Sequence, residues 1–271
     1  TTNLVVPRSY SHGITISTND VTVDLMGFSI TGDRYFYGVW VYGKTNAPRH
    51  NIVVRNGTIK NFGTGLRLVN TQDSQFECLV VSDCESAGIL LTGDSGGDCS
   101  GNRIAKCMSS GNGSHGITLF GSGAGKCDGN SISDCTFRKN SCSGVEIQAG
   151  SGQCNQNEFR NCMIQDNALH GIDDSTFSGG RHCGNVIESC NISGNATGYG
   201  IRLYGAGGST VVGNRISLCT LCNNTDGGIA QELDVSSGLI NGNLVSGTGG
   251  GSSRGIYVMG QLSNLIVQNT C

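Results

Sequence analysis

A glycine followed by an apolar, a variable and an apolar residue recurs along the chain at Gly13, Gly38, Gly65, Gly88, Gly116, Gly144, Gly171, Gly200, Gly228 and Gly255, with Asp174 and Gln231 in the last place of two of the ten. From Gly88 onward the spacing is 28, 28, 27, 29, 28 and 27 residues, and the earlier intervals are shorter and less regular. A second landmark, Asn-x-apolar-x-x-Cys, runs in phase: Asn102 to Cys107, Asn130 to Cys135, Asn157 to Cys162, Asn185 to Cys190 and Asn214 to Cys219. Five residues after each of these cysteines stands another asparagine, at Asn112, Asn140, Asn167, Asn195 and Asn224. A period of this length means that one repeat cannot bury its apolar face alone and must stack on the next.

The residues inside one period decide what is stacked. The chain is rich in β-branched residues and in Asn, Ser, Thr and Gly, with 44 glycines but 2 prolines, and no window reads as a helix. A leucine-rich repeat would show leucines at fixed offsets and a helical return, and a propeller blade would need a longer unit of four strands. Three short strands per period fit instead a solenoid whose coils lie about 4.8 Å apart. Inward asparagines at the bends are expected to bond the bends above and below, forming ladders. The expected fold is all-β, a single-stranded parallel β-helix of about ten coils of roughly 28 residues, one domain over 1–271.

These motifs, with Gly116-Ile117-Thr118-Leu119 and Gly13-Ile14-Thr15-Ile16 as examples, resemble the right-handed parallel β-helix superfamily. That superfamily includes pectate lyases, polygalacturonases, alginate epimerases, phage tailspikes and bacterial surface proteins. The resemblance covers essentially all of the chain and implies a right-handed coil and a fold frequently used on polysaccharides; it specifies architecture, not activity. Ser114-His115-Gly116 is similar to the Gly-His-Gly strand of polygalacturonases and Asp173-Asp174 to their paired aspartates, but the order along the chain is reversed and no Arg-Ile-Lys follows.

The 14 cysteines suggest an oxidising compartment. Cys84, Cys107, Cys135, Cys162, Cys190 and Cys219 read as one column, and Cys99, Cys127, Cys154 and, one residue out of phase, Cys183 as another. Stacked neighbours would have Cα atoms about 4.8 Å apart, inside the disulfide range, so staples between coils are expected for some of them. The competing reading is a column of buried reduced thiols acting as small apolar residues.

In each Gly-apolar-x-apolar strand the x residue faces outward. Down the stack that position reads Thr15, Trp40, Arg67, Leu90, Thr118, Glu146, Asp173, Arg202, Ala230 and Tyr257. Residues preceding the glycines add His115, His170 and Tyr199, and Tyr204 lies one step further along its strand. The expected catalytic set, if chemistry occurs, is Glu146, Asp173, Asp174 and His170; the expected substrate contacts are Arg202, Tyr199, Tyr204 and His115. Two carboxylates on adjacent coils would raise one pKa, Arg202 could neutralise an anion, and His170 or Tyr199 could move a proton. Asp174 breaks the pattern, because Leu91, Leu119, Ile147 and Leu203 hold its position on other coils and point inward. Either the strand bends outward there or Asp174 has a buried partner.

The net charge of −3 and the absence of a Lys/Arg cluster argue against nucleic acid, and no apolar run is long enough to span a membrane. No cofactor and no metal is expected. The first functional reading is an extracellular or cell-surface module with a structural, adhesive or filament-forming role and a glycan as partner. The second is a lyase, epimerase or hydrolase acting on polysaccharide at the outer sheet face. Uniform coils from 88 to 255, without long groove-building loops, favour the first. Neither end carries a readable cap: Leu4-Val5-Val6 opens the chain and Leu265 to Cys271 reads as another coil. The chain is therefore expected either to belong to a longer solenoid or to self-associate end to end.

Overall fold

A computed structural model describes residues 2–7, 11–247, 254–260 and 264–271. The strands wind into a parallel solenoid with three long faces. One is a ten-stranded sheet running in unbroken order from Ile14–Ile16 through Tyr37–Tyr42, Thr64–Val69, Ile89–Gly93, Ile117–Gly121, Val145–Ala149, Ile172–Thr176, Tyr199–Gly205 and Gly227–Leu233 to Arg254–Gly260. The other two ladders merge where Ile52–Lys60 and Gln75–Ser82 run straight through a corner. Beyond that point each corner splits the strand, as in Arg103–Ala105 followed by Met108–Ser110. Every strand-to-strand pairing is parallel, and all described helical content is nil, as the β-branched composition dictates.

Inward positions stack like on like. Ile104, Ile132, Phe159, Ile187, Ile216 and Ile240 form one buried file, and Ile89, Ile117, Val145, Ile172, Ile201 and Ile229 another. The two asparagine columns are fully buried ladders. Asn102, Asn130 and Asn157 each accept, through Oδ1, the backbone N–H and the side-chain amide of the coil beneath, or donate to the coil above. The same pattern links Asn112, Asn140, Asn167, Asn195 and Asn224. Asn112 and Asn195 also open Asn-x-Ser/Thr triplets, but at this depth they are ladder rungs.

The glycine column has a steric cause. A Cβ on Gly171 would stand 2.3 Å from Ile192 Cγ2 and 3.0 Å from Asn195 Nδ2; on Gly200 it would meet Leu221 and Asn224 in the same way. Glycine lets the sheet face close over the second ladder. Left-handed backbone angles fall elsewhere, among them on the residue before each cysteine of the column from Cys107 to Cys219: Lys106, Asp134, Asn161, Ser189 and Leu218 all have φ between 54° and 57°. Leu218 is the worst suited of these, an apolar side chain 60 % exposed at φ 57°. A left-handed non-glycine residue costs about 1–2 kcal/mol, and glycine returns part of the relief through the greater freedom of its unfolded chain. Leu218→Gly is therefore expected to stabilise the fold by about 0.5–1 kcal/mol, read as a higher urea midpoint.

The cysteine columns differ from the sequence expectation in two ways. Cys84 is not below Cys107: its backbone N–H donates to Asn112 Oδ1, so it stands at the foot of the second asparagine ladder. The reason is the 23-residue gap between Cys84 and Cys107, shorter than the 28-residue period. The column proper is Cys107, Cys135, Cys162, Cys190 and Cys219, continued by Asn243 and Asn269. All 14 cysteines are free thiols, including Cys99, Cys127, Cys154 and Cys183. Residues stacked in register have parallel Cβ directions, which holds their Cβ atoms at the coil spacing of about 4.8 Å, outside the roughly 3.5–4.5 Å a disulfide needs. The sulfurs instead contact carbonyls, as Cys107 does with Ala105 O at 3.3 Å. Burial pushes the Cys84 thiol up to about 11 and raises Cys99 and Cys127 as well. Cys84, Cys99 and Cys127 thus pack as small apolar core side chains.

Candidate functional site

The outward column of the ten-stranded sheet is as the alternation of the strands requires. Thr118 pairs with Glu146, Glu146 with Asp173, Asp173 with Arg202 and Arg202 with Ala230. On these coils the side chains form one connected patch. His115 Nε2 lies 3.3 Å from Glu146 Oε2, and the Thr118 hydroxyl donates to the same oxygen at 3.2 Å. Arg202 reaches toward Asp173 Oδ1 at 3.7 Å and binds Glu232 Oε2 at 2.8 Å through Nε. Its guanidinium lies 4.4 Å over the Tyr204 ring, which packs against Phe177. The His170 and Tyr199 rings are stacked, and His170 Nδ1 accepts the Tyr199 backbone N–H at 3.0 Å, which fixes that nitrogen as the acceptor.

Partial burial sets the protonation states. Removal from water raises the Glu146 carboxyl and lifts Asp173 to about 6, a rise that Arg202 opposes and Glu146 reinforces. Burial holds both His115 and His170 down at about 4, so both are neutral at pH 7. The patch therefore carries three carboxylates, Glu146, Asp173 and Glu232, against the single guanidinium of Arg202. It can accept several hydrogen bonds from hydroxyl groups, donate from Arg202 and present the ring of Tyr204. It also holds a carboxyl whose pKa lies near neutrality beside two uncharged imidazoles, the raw material of acid–base chemistry.

Seven of the eight expected side chains meet here: Glu146, Asp173, His170, Arg202, Tyr199, Tyr204 and His115. The eighth, Asp174, does not. It points into the core and is completely buried, paired with His182 Nδ1 and accepting from Asn185 Nδ2 at 3.3 Å. The strand does not bend; the carboxylate has a buried partner. His182 occupies the column of Cys99, Cys127 and Cys154, as the bridges from Asp98 through Lys126 and Gln153 to Arg181 set the register. The out-of-phase Cys183 was the sequence signal that something else held this position. Glu232, which the sequence reading missed, is the outward residue next to Tyr204 on the following coil, and stepping from Tyr204 one coil further finds it. Among the described residues no cluster of His, Cys, Asp and Glu is arranged to hold a metal ion, and no helix is long and apolar enough to cross a membrane.

A family model for the right-handed β-helix region matches residues 12–182 and 155–271. No curated protein matches the chain in sequence. Among solved structures the chain is similar to the A-module of the Azotobacter vinelandii mannuronan C-5 epimerase AlgE6, with a TM-score of 0.60 at 16 % identity over 92 % of this chain and 65 % of that one. It is similar to ORF18 of Geobacillus virus E2, with a TM-score of 0.59 at 12 % identity over 98 % of this chain and 55 % of the other. Pectate lyase Pel9A follows at 0.55 and 13 % identity, covering 96 % and 79 %. At these identities the likeness is one of fold, and the chain spans less than two thirds of the first two structures.

Proposed function

We propose that this chain, which belongs to the right-handed β-helix family, is an extracellular or cell-surface glycan-binding module whose recognition face is the Glu146–Asp173–Arg202 patch. The observation that carries this reading is the alignment, on consecutive coils of one flat face, of hydroxyl-accepting carboxylates, one pinned guanidinium and an aromatic ring. Sugars are recognised by that combination, and a rigid solenoid presents it without an ordering cost. Three carboxylates against one arginine favour a neutral glycan over a polyuronate. That two of the similar structures are a mannuronan epimerase and a pectate lyase is in keeping with carbohydrate as the ligand class.

The test is a calorimetric screen of neutral and acidic oligosaccharides against the parent and a Glu146→Ala/Asp173→Ala/Arg202→Ala variant. These side chains lie on the outer face of the sheet and not in the core, so the fold should survive their removal. Binding of a neutral oligosaccharide that weakens by at least tenfold in the variant supports the proposal, and binding left intact removes this face from consideration. The pH dependence follows from Asp173. Its pKa near 6 means that the acceptor carboxylate is lost as pH falls from 7 to 5. Affinity for a neutral glycan is expected to drop across that interval, and Asp173→Asn is expected to flatten the dependence.

A second reading, a polysaccharide-active enzyme, is favoured by the same carboxyl: Asp173 Oδ1 is buried without a hydrogen-bond partner and lies one coil from Glu146. Appearance of new reducing ends, unsaturated sugars or altered stereochemistry on prolonged incubation, abolished by Asp173→Asn, would select it. End-to-end association of copies remains part of the proposal. Among the described residues the strand Leu4–Val5 pairs with Ser29–Thr31 and Leu265–Val267 with Leu239–Asn241, and Val5 and Leu265 are exposed. Sedimentation velocity over a hundredfold concentration range reads it directly.

A further inference from the structure

The chain has 16 aromatic residues, and five of them fall between positions 35 and 42. Four of its phenylalanines, Phe62, Phe76, Phe137 and Phe159, are core side chains. Tyr37, Trp40 and Tyr42 are not; they sit on the strand Tyr37–Tyr42 of the same ten-stranded sheet that carries the charged patch. Trp40 is the outward residue of its coil, directly beside Arg67 on the next. The rings form one connected surface. His12 stacks on Tyr37 with centroids 4.8 Å apart and touches Trp40 at 4.5 Å; Trp40 meets Tyr37 at 5.5 Å and Tyr42 at 4.9 Å. Arg67 lies 4.6 Å over the Tyr37 ring and donates to its hydroxyl, which locks both side chains.

This cluster does no work for the core, because the inward neighbours Val39 and Val41 are already fully buried beneath it. Trp40 is half-buried and Tyr42 is 39 % exposed. A contiguous, pre-ordered ring surface on the outside of a β-sheet is a ligand platform more readily than a stabilising device. The order of the face matters as well. Four coil steps of about 4.8 Å separate Trp40 from Glu146, so the platform and the charged patch lie about 19 Å apart along one straight face. Arg67 is already spent on Tyr37, which leaves stacking surface and few free charges.

We propose that Trp40 and Tyr42, supported by a Tyr37 ring that His12 and Arg67 already cover, form a second carbohydrate subsite, a stacking platform for the pyranose ring of a neutral glycan chain that lies along the solenoid axis. The stacking site stands on the ring geometry alone; its assignment to a neutral chain rests on the reading of the charged patch given above. The platform explains why the only tryptophan of the chain is placed outward on this sheet. A ring held there would be continued by the rest of the chain toward Glu146 over the outward residues Leu90 and Thr118.

Trp40, as the sole tryptophan, makes the site self-reporting. The parent protein is titrated with hexamers of β-1,4-glucose, β-1,3-glucose, α-1,4-glucose and β-1,4-mannose, and with hexagalacturonate, while intrinsic fluorescence and calorimetric heat are recorded together. Expected is a saturable change in tryptophan emission with at least one neutral hexamer. Tyr42→Ala and Arg67→Gln should weaken that affinity at least tenfold, and Glu146→Ala/Asp173→Ala/Arg202→Ala should leave an emission change at reduced affinity. Both platform variants alter outward side chains, and their circular dichroism should match the parent. Emission that responds only to hexagalacturonate overturns the neutral assignment and keeps the platform. Calorimetric binding with no emission change overturns the platform and leaves the charged patch standing. No emission change with any hexamer overturns the platform outright.

Discussion

Asp174→Leu, made with His182 left in place, is expected to lower stability by about 3–5 kcal/mol, because it strands a buried imidazole in the middle of the solenoid. Asp174 and His182 are both completely buried, and each is the other's main partner. Removing the carboxylate leaves His182 Nδ1 without an acceptor, and its Nε2 has none already. Asn185 loses less, since its side-chain amide keeps Cys154 O at 3.0 Å. The reverse change, His182→Cys, is expected to cost a similar amount, because Asp174 would then be a buried carboxyl held by Asn185 alone. The combined Asp174→Leu/His182→Cys variant should recover most of the loss. Its leucine would stack between Ile147 and Leu203, and its cysteine would extend the Cys99–Cys127–Cys154 column. A buried polar pair replaced by apolar residues of suitable size is often neutral or better. A double-mutant cycle in urea reads the coupling, and a double-variant loss equal to the sum of the two single losses would refute the pairing. The double variant also removes the charge of Asp174 from beneath Asp173. Asp174 is one of the groups that lift Asp173 toward 6, so the pH midpoint of any Asp173-dependent binding should move down. The pair thus links core packing to the protonation of the outer face.

What the sequence made legible follows from which constraints are periodic. The Gly-apolar-x-apolar register placed Glu146, Asp173 and Arg202 side by side, because strand alternation and coil spacing act on every repeat alike. The ladders were legible for the same reason. The errors of register sit where the period breaks. Cys84 was assigned to the wrong column because the coil containing Gln75–Ser82 is short and takes its corner at Cys78, which has φ 54°. His182 went unseen because Cys183 looked like a displaced member of a column rather than the neighbour of a substitution. Disulfides were expected from a Cα spacing that the parallel Cβ directions do not support. The aromatic platform was invisible because its contacts join neighbouring positions of one strand to His12 on the coil before and Arg67 on the coil after, a pattern that no fixed offset reveals.

Asn157→Ala should be among the most damaging single changes in the molecule, with an expected loss of about 3–6 kcal/mol, on the order of two to three buried groups left unpaired. Its Oδ1 accepts both the backbone N–H of Asn130, at 2.9 Å, and the Asn130 side-chain amide, at 3.1 Å. Its own Nδ2 donates to Cys127 O at 2.9 Å. The same amide also reaches Asn185 Oδ1 at 3.4 Å, so alanine removes all four bonds, and full burial keeps water from replacing them. Position in the ladder should scale the effect. Asn214 ends the same ladder: its Oδ1 accepts the Asn185 N–H at 2.8 Å, but its Nδ2 has no partner, and the next coil carries Gly238 at this place. Asn214→Ala deletes one donor–acceptor pair and also removes an amide that is already unsatisfied, so its cost should be near 1 kcal/mol. Comparing the urea midpoints of the two variants tests the ladder as a cooperative device, because each asparagine binds the coil before it and is bound by the coil after it. Equal losses at positions 157 and 214 would mean that the asparagines act locally, as bend formers only. A severalfold larger loss at 157 would mean that stability is carried along the stack, and that the face bearing both proposed subsites depends on the interior rungs behind it.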